Sequence, residues 1–220
     1  MDYKKIKPYT SGSKDAASCI DKNAIAILDL DYSNGRHGKE LRLQNPVRLI
    51  IDIDYDRDFC FEAENQSDIN DFHGTRHHKL RMFDNIISTD ILGHLHNVWL
   101  SLRNSTAKLK HEGGVLITTP QIRHITAFCS FYFLESFLRN SRSTFNDSHL
   151  TSLTLSDGIQ LCWQATLQVE KIVSRSGFFD SANSCINTFA DKHCDAIASL
   201  RPTHMLPSYE FILIAKRAKA

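Results

Sequence analysis

The chain has 220 residues, of which 42% are hydrophobic and 23% are charged, a composition typical of one soluble globular domain. Twenty-six Lys and Arg residues against 25 Asp and Glu residues leave a net charge of +1, which argues against duplex nucleic acid as a main partner. Thirteen Phe, six Tyr and two Trp residues exclude general disorder, because they supply ample material for a core. We therefore expect one folded domain whose near-neutral charge favours a small-molecule partner.

The cysteines and the N-terminal segment bear on location. The six cysteines form no Cys-x-x-Cys pair and lie at positions 19, 60, 129, 162, 185 and 194. In a chain of this length, that pattern favours reduced thiols over a disulfide framework. The N-terminal residues lack the apolar core of a signal peptide, and no run approaches the roughly 18 apolar residues that a membrane span needs. We expect a cytoplasmic protein without integral membrane association.

Two nearly continuous apolar runs begin the part of the chain that predicts regular structure. Residues 24–30 (AIAILDL) and 47–53 (VRLIIDI) fit strands that are buried on both faces, as in a parallel sheet covered by helices. The turn-rich stretch 31–35 and a short helical pattern through Leu43 separate them. Residues 1–23 are polar and basic, and we interpret them as an N-terminal arm.

The middle of the chain repeats this alternation of strand and helix. Residues 83–88 (FDNIIS) predict a third strand, and residues 91–109 carry mostly helical spacing of apolar side chains. Gly113 and Gly114 are expected to end that helix, and residues 115–118 predict a fourth strand. Strands that alternate with helices indicate a parallel α/β sheet.

The C-terminal hundred residues predict a different pattern. We expect a helix over 156–174, a strand beginning at Phe178 and a last strand over 209–215. The aromatic segment 125–138 fits a lid over an apolar pocket, a surface helix that touches membrane, or plain core. We predict that residues 121–165 form a lid over the substrate.

Four segments of the sequence contain the predicted strand ends and the loops that follow them. They are AIAILDLDYSNGRHGKEL, then VRLIIDIDYD, then SDINDF followed by FDNIISTDILGHL, and finally LKHEGGVLITTP. In this order and spacing they resemble the class I S-adenosylmethionine-dependent methyltransferases. The resemblance implies a Rossmann-like α/β fold over residues 24–220. It has a seven-stranded, mostly parallel sheet, helices on both faces and the lid between strands five and six.

The resemblance also implies S-adenosylmethionine as the cofactor and a set of residues that hold it. Asp29 matches the acidic position that ends the first strand, and Asn34 with Gly35 matches the loop where backbone approaches the cofactor closely. Asp54, which closes the second strand, fits an acceptor for the ribose hydroxyls. The remaining implied contacts are Asp68 and Ile69 with the adenine, and Thr89 and Asp90 with the methionine end. Asp31 departs from the family pattern and would bind the methionine moiety only by turning toward its amino group.

A histidine is the candidate for the chemistry. Methyl transfer from a sulfonium is an in-line displacement, and only acceptors with a proton to lose need a base. His94 is the first candidate, because it follows the strand predicted over 83–88, which is the fourth strand in the family's order, at the edge where ligands of such sheets bind. His124 and His149 flank the predicted lid and are weaker candidates. The expected acceptor is a small molecule.

Two groups of metal-binding residue types do not form a metal motif. The first group is His73, His77 and His78, and the second is Cys185, His193 and Cys194. Neither group has the paired spacing of a structural zinc site. We predict no metal site.

Three departures from the family pattern support an alternative. Asp31 and Ser33 stand where the first two loop glycines are usual, and Gly93 stands where a Glu is common. A carboxylate at Asp31 would repel the carboxylate of a bound methionine moiety. The alternative is a catalytically degenerate methyltransferase fold that acts as a binding or interaction module, and a third hypothesis is an α/β domain for another nucleotide. The sequence assigns neither the methyl acceptor nor the oligomeric state.

Overall fold

The computed structural model describes residues 7–9, 17–30, 36–52, 69–70, 83–124, 127, 131, 149–176 and 208–218. These residues build one α/β unit around a mixed sheet whose strand order is β1-β7-β8-β6-β5-β2-β3-β4. The strands are β1 Lys7–Tyr9, β2 Ala26–Asp29, β3 Leu49–Asp52, β4 Ile69–Asn70, β5 Phe83–Thr89, β6 Leu109–Pro120, β7 Leu167–Ser176 and β8 Ser208–Arg217. The helices are α1 Arg36–Gln44, a 3-10 turn Ile91–His94, α2 Val98–Thr106 and α3 Leu155–Gln164.

The sheet is mostly parallel, which confirms the predicted Rossmann-like α/β class. Strands β4, β3, β2, β5 and β6 are parallel neighbours, whereas β8 runs antiparallel to both β6 and β7. The described strands number eight rather than the expected seven. The additional strand is β1, which pairs in parallel with β7.

Two apolar clusters cover the two faces of the sheet. Because side chains alternate along a strand, Ile27 of β2 points to one face and Leu28 to the other. The cluster around Ile27 includes Leu41 of α1, and the cluster around Leu28 includes Leu102 of α2 and Leu161 of α3. The prediction of helices on both faces is therefore confirmed. None of the helices in the described ranges is long and apolar enough to cross a membrane.

The N-terminal segment interpreted as an arm contributes to the sheet and to the core. Lys7 pairs with Val173 and Tyr9 with Arg175 along the outer edge of β7. Ala17 and Ile20 are buried in the same apolar cluster as Ile27. At these positions the segment is packed against the domain.

The expected helix over 156–174 is wrong in its second half. Helix α3 ends at Gln164, and Thr166 has a φ of 59°, in the left-handed region where the helix cannot continue. Residues 167–176 then form β7. The strand was missed because its pairing with β8 shifts register between Val169 and Lys171, which breaks the alternation that marks a strand.

The segment from 91 to 120 also differs from the expectation. The predicted single helix over 91–109 is divided into the 3-10 turn and α2, and β6 begins at Leu109. Gly113 and Gly114 lie inside β6 rather than ending the helix. A Cβ added at Gly113 would stand 2.6 Å from Cγ of Leu109 and 2.9 Å from the carbonyl oxygen of Asp84, so the close approach of β6 to β5 requires glycine here.

Two further predictions concern residues largely outside the described ranges. Of the predicted lid, the structure describes residues 121–124, Ala127, Phe131 and everything from His149 onward. The lid therefore stays a prediction. The histidine and cysteine groups considered for metal lie outside the described residues, and within the described part no three His, Cys, Asp or Glu side chains are arranged to hold a metal ion.

Candidate functional site

The strand order creates one crevice where a ligand site is expected. From β2 the chain continues to β3 and β4 on one side, and then returns to β5 on the opposite side of β2. In open α/β sheets, ligands bind outside the carboxyl ends of the strands at such a reversal of strand order. Here the two strands that flank the reversal end at Asp29 and Thr89.

Asp29 places a buried carboxylate beside this crevice. Its side chain belongs to the last residue of β2 and only 1% of the residue is exposed. Beyond it the strand pairing continues for one residue, since the N–H of Leu30 donates to the carbonyl oxygen of Ile87 at 2.9 Å. The place of Asp29 at the carboxyl end of a central strand, beside the reversal of strand order, makes this position a candidate for ligand binding.

The end of β5 has an unusual backbone. Asp90 has φ 60° and ψ −5°, a left-handed conformation that non-glycine residues seldom adopt. Its N–H donates to both the carbonyl oxygen and the Oγ1 of Thr118, at 3.2 Å and 3.1 Å, which holds the turn against β6. Thr89 before it is buried, and the Asp90 side chain is half-exposed. Strained residues of this kind cluster at functional sites.

Two histidine side chains meet immediately after this turn. The ring of His94, at the end of the 3-10 turn, and the ring of His149 make an edge-to-face contact with centroids 4.5 Å apart. Nε2 of His149 lies 4.0 Å from Oδ1 of Asp90. The His149 side chain is 7% exposed. Burial, and secondarily the charge of His94, lower the pKa of His149 below its ordinary value of 6.5, so its imidazole is neutral at pH 7.

The backbone of the 3-10 turn holds His149 in place. The N–H groups of Leu150 and Thr151 both donate to the carbonyl oxygen of Gly93, at 2.7 Å and 3.0 Å. The His149 ring packs over the same glycine, because a Cβ added there would stand 3.0 Å from Cδ2 of His149. The side chain that Gly93 lacks is therefore replaced in space by an imidazole from a distant segment.

The third histidine candidate lies against a different strand. His124 is buried and makes an edge-to-face contact with Tyr209 of β8, with centroids 6.4 Å apart. Its N–H donates to the carbonyl oxygen of Gln121, whose own N–H donates to the carbonyl oxygen of Tyr209. Gln121 is fully buried, and its Nε2 has no hydrogen-bond partner among the described residues. It follows β6 directly, at the same edge of the sheet.

The structure brings part of the predicted site together. Asp29, Thr89, Asp90 and His94 lie at the carboxyl ends of β2 and β5 or directly after β5. The backbone of Ile69 lies in β4, where it pairs with Ile51 of β3. The predicted cofactor contacts that lie outside the described residues are Asp31, Asn34, Gly35, Asp54 and Asp68.

Two features of the site escape prediction from the sequence. The pairing of His149 with His94 joins residues that are far apart in the chain, and no local pattern indicates it. Gln121 belongs to no recognisable motif, although its position directly after a strand that ends in Thr119-Pro120 is a usable signal.

Comparison with known proteins identifies the fold. No protein-family model and no curated protein sequence matches the chain. Solved structures do match. An S-adenosylmethionine-dependent methyltransferase from Archaeoglobus fulgidus is 13% identical with a TM-score of 0.61, over 89% of this chain and 87% of that one. The chain therefore has the class I methyltransferase fold, as the sequence predicted.

Two more solved structures have the same fold. A putative methyltransferase from Haloferax volcanii, solved in complex with the Trm112 methyltransferase activator, is 12% identical with a TM-score of 0.62, over 94% of this chain and 89% of that one. The plantazolicin methyltransferase BamL, solved with a desmethylplantazolicin analogue and S-adenosylhomocysteine, is 13% identical with a TM-score of 0.59, over 94% of this chain and 82% of that one.

Proposed function

We propose that this protein is a methyltransferase that transfers the methyl group of S-adenosylmethionine to a small-molecule acceptor. The observation that carries the proposal is the position of Asp29, a buried carboxylate at the reversal of strand order in a sheet with the methyltransferase fold. The proposed site includes the strained Thr89–Asp90 turn on the other side of the crevice. The near-neutral net charge of +1 supports a small acceptor over nucleic acid.

The described residues fit the polar end of this cofactor. Asp29 supplies a carboxylate at the carboxyl end of β2, and the methionine ammonium group of the cofactor is a cation that a carboxylate binds. Thr89 and Asp90 line the same crevice from β5. Contacts with the loop residues Asp31, Asn34 and Gly35 and with the acidic residues Asp54 and Asp68, and a packing role for Ile69, are proposed from the family resemblance alone.

When bound, the cofactor supplies a methyl group activated by a positively charged sulfur. The chain's own residues then have three tasks: to orient the acceptor, to exclude water and to move a proton. For acceptors that have a proton to lose, we assign proton removal to the two histidines in contact at this edge of the site, of which the sequence predicts His94 as the first candidate. The proposed lid, residues 121–165, would cover the acceptor. We also propose a cytoplasmic location, which the absence of a Cys-x-x-Cys pattern supports.

Calorimetric titration with S-adenosylmethionine and S-adenosylhomocysteine tests the proposal. We expect both ligands to bind, and we expect Asp29→Asn to weaken binding of both by about tenfold or more, because a charged hydrogen bond of about 1.5–3 kcal/mol is removed. The matched control is Glu112→Gln, which removes an exposed carboxylate near the opposite end of β6 and should bind like the wild type.

The outcomes of that titration separate the hypotheses. Normal binding by Asp29→Asn would contradict the assignment of Asp29. No binding of either ligand at millimolar concentration by the folded wild type would contradict the enzyme proposal. It would favour the alternative, a binding or interaction module, for which the replacements at Asp31, Ser33 and Gly93 are the supporting observations.

A further inference from the structure

The Nε2 atom of His149 is a buried polar atom that makes no hydrogen bond within the described part of the chain. Its side chain is 7% exposed, and no described residue makes a hydrogen bond to that atom. An unsatisfied buried group of this kind costs about 1–3 kcal/mol, so native structures keep few of them without a functional reason. The atom lies beside the turn that ends β5, within the candidate site.

The surroundings of His149 are those of a proton acceptor. Among the described residues packed against it, the 3-10 turn presents His94 and the end of β5 presents Asp90. Burial keeps the imidazole neutral before reaction, and therefore able to accept a proton. The Asp90 carboxylate, 4.0 Å away, stabilises the imidazolium once it forms. The ring of His94, which contacts that of His149, is half-buried.

We propose that His149 takes the proton from a hydroxyl group of the methyl acceptor and that His94 passes this proton to solvent. This inference rests on the proposed methyltransferase function and narrows it to acceptors that are methylated on oxygen. A neutral amine can attack through its lone pair before it loses a proton, whereas a hydroxyl is a poor nucleophile until its proton is removed. A neutral, buried imidazole therefore suits a hydroxyl acceptor.

The proposed step transfers one methyl group to the acceptor and removes one proton from it. The acceptor oxygen forms a bond to the methyl carbon while the carbon–sulfur bond breaks and its electron pair goes to sulfur. The hydroxyl proton moves to Nε2 of His149, whose positive charge faces Asp90. The proton then leaves by way of His94, and the neutral imidazole is restored.

A pair of phenols tests the assignment. 4-Methylphenol keeps its proton near neutral pH and needs a base, whereas 4-nitrophenol is largely ionised at slightly alkaline pH and does not. At pH 8, we expect wild type to methylate both on oxygen. We expect His149→Gln to lower the single-turnover rate for 4-methylphenol about 100-fold and to leave the rate for 4-nitrophenol within a few-fold, as loss of general-base catalysis predicts.

Controls separate this inference from the proposed function. His96→Gln changes an exposed histidine two residues after the end of the same turn and should behave like the wild type. Cofactor titration of every variant reports on the proposed function, and we expect normal binding in His149→Gln. A wild-type rate for His149→Gln on 4-methylphenol would overturn the inference. Two results for a wild type that binds the cofactor would also overturn the inference. One is methylation of aniline but of neither phenol, and the other is methylation of none of the three compounds.

The pH dependence of the wild type gives a second test that does not require a folded variant. Because the pKa of His149 lies below 6.5, the rate for 4-methylphenol should stay constant as the pH falls to about 6.5 and then decrease as the imidazole becomes protonated. A rate that shows no decrease at any pH below 6.5 at which the protein stays folded would overturn the inference. A decrease centred well above pH 6.5 would do the same.

Discussion

The carboxylate of Asp84 on β5 accepts a hydrogen bond from the backbone N–H of Ala26 on β2, with 2.8 Å between the atoms. It also accepts a hydrogen bond from the backbone N–H of Ile25 at 3.0 Å and forms an ion pair with Lys110 of β6. Burial opposes ionisation of Asp84, but these donors outweigh it and hold its pKa below the ordinary value of 3.8. One side chain thus joins three strands at the edge opposite the candidate site.

We expect Asp84→Asn to lower the free energy of unfolding by about 1–3 kcal/mol at neutral pH, because a charged acceptor of several hydrogen bonds is removed. Since the folded pKa lies below the unfolded one, this stabilisation is complete above about pH 4 and is lost as pH falls through the folded pKa. Urea unfolding from pH 7 to pH 3 measures the difference. A cost that does not shrink in acid, or one matched by Glu112→Gln, would contradict the assignment.

Gly113 gives a prediction about packing. A Cβ at this position would meet the Leu109 side chain at 2.6 Å and the Asp84 carbonyl oxygen at 2.9 Å. We expect Gly113→Ala to destabilise the protein by about 1–3 kcal/mol, because a backbone atom cannot move aside as a side chain can. Thermal or urea unfolding checks this.

Gly158→Ala is the comparison for that variant. A Cβ at Gly158 would meet only the ends of the Leu213 and Phe211 side chains, at 3.0 Å and 3.1 Å. Alanine also gains about 1 kcal/mol over glycine inside a helix, so the two effects offset each other. Equal losses in the two variants would argue against the steric account of Gly113.

The sequence was sufficient to predict the sheet because its central strands are buried on both faces. The nearly continuous apolar runs 24–30 and 47–53 have few structural alternatives, and β2 and β3 are found inside them. The strand predicted over 83–88 is found as β5, which ends one residue later at Thr89. Strand β7 escaped prediction because its register shift disrupts the two-residue period. Strand β1 escaped prediction because its three residues carry no apolar pattern, and its pairing is with the distant strand β7.

The candidate site also combines features that the local sequence marks with features that tertiary packing creates. The positions of Asp29, Thr89 and Asp90 at the ends of β2 and β5 were predictable because strand ends are marked in the sequence, and their role in ligand binding stays a prediction. The contact between His94 and His149 was not predictable, since tertiary packing alone brings those rings together. The space over Gly93 that receives His149 is likewise visible only in three dimensions.

Cys162 gives a prediction about chemical reactivity. It is fully buried in α3, and burial raises the pKa of its thiol to about 12. Because the thiolate is the reactive form, we expect iodoacetamide at pH 8 to leave Cys162 unmodified in the native protein and to modify it after unfolding in urea. Peptide mass spectrometry measures the modified fraction. The half-buried Cys19 is the internal reference, and labelling of Cys162 as fast as Cys19 would contradict the prediction.

The pairing of Lys7 with Val173 also determines when the sheet can be completed. During synthesis the residues of β1 leave the ribosome long before those of β7, so the earliest strand has no partner while most of the domain is being made. Its closure spans most of the chain, and contacts of such long sequence separation slow folding. We expect the outer edge of β7 to be covered last, so that a nascent or refolding chain passes through a state in which that edge is open to other chains.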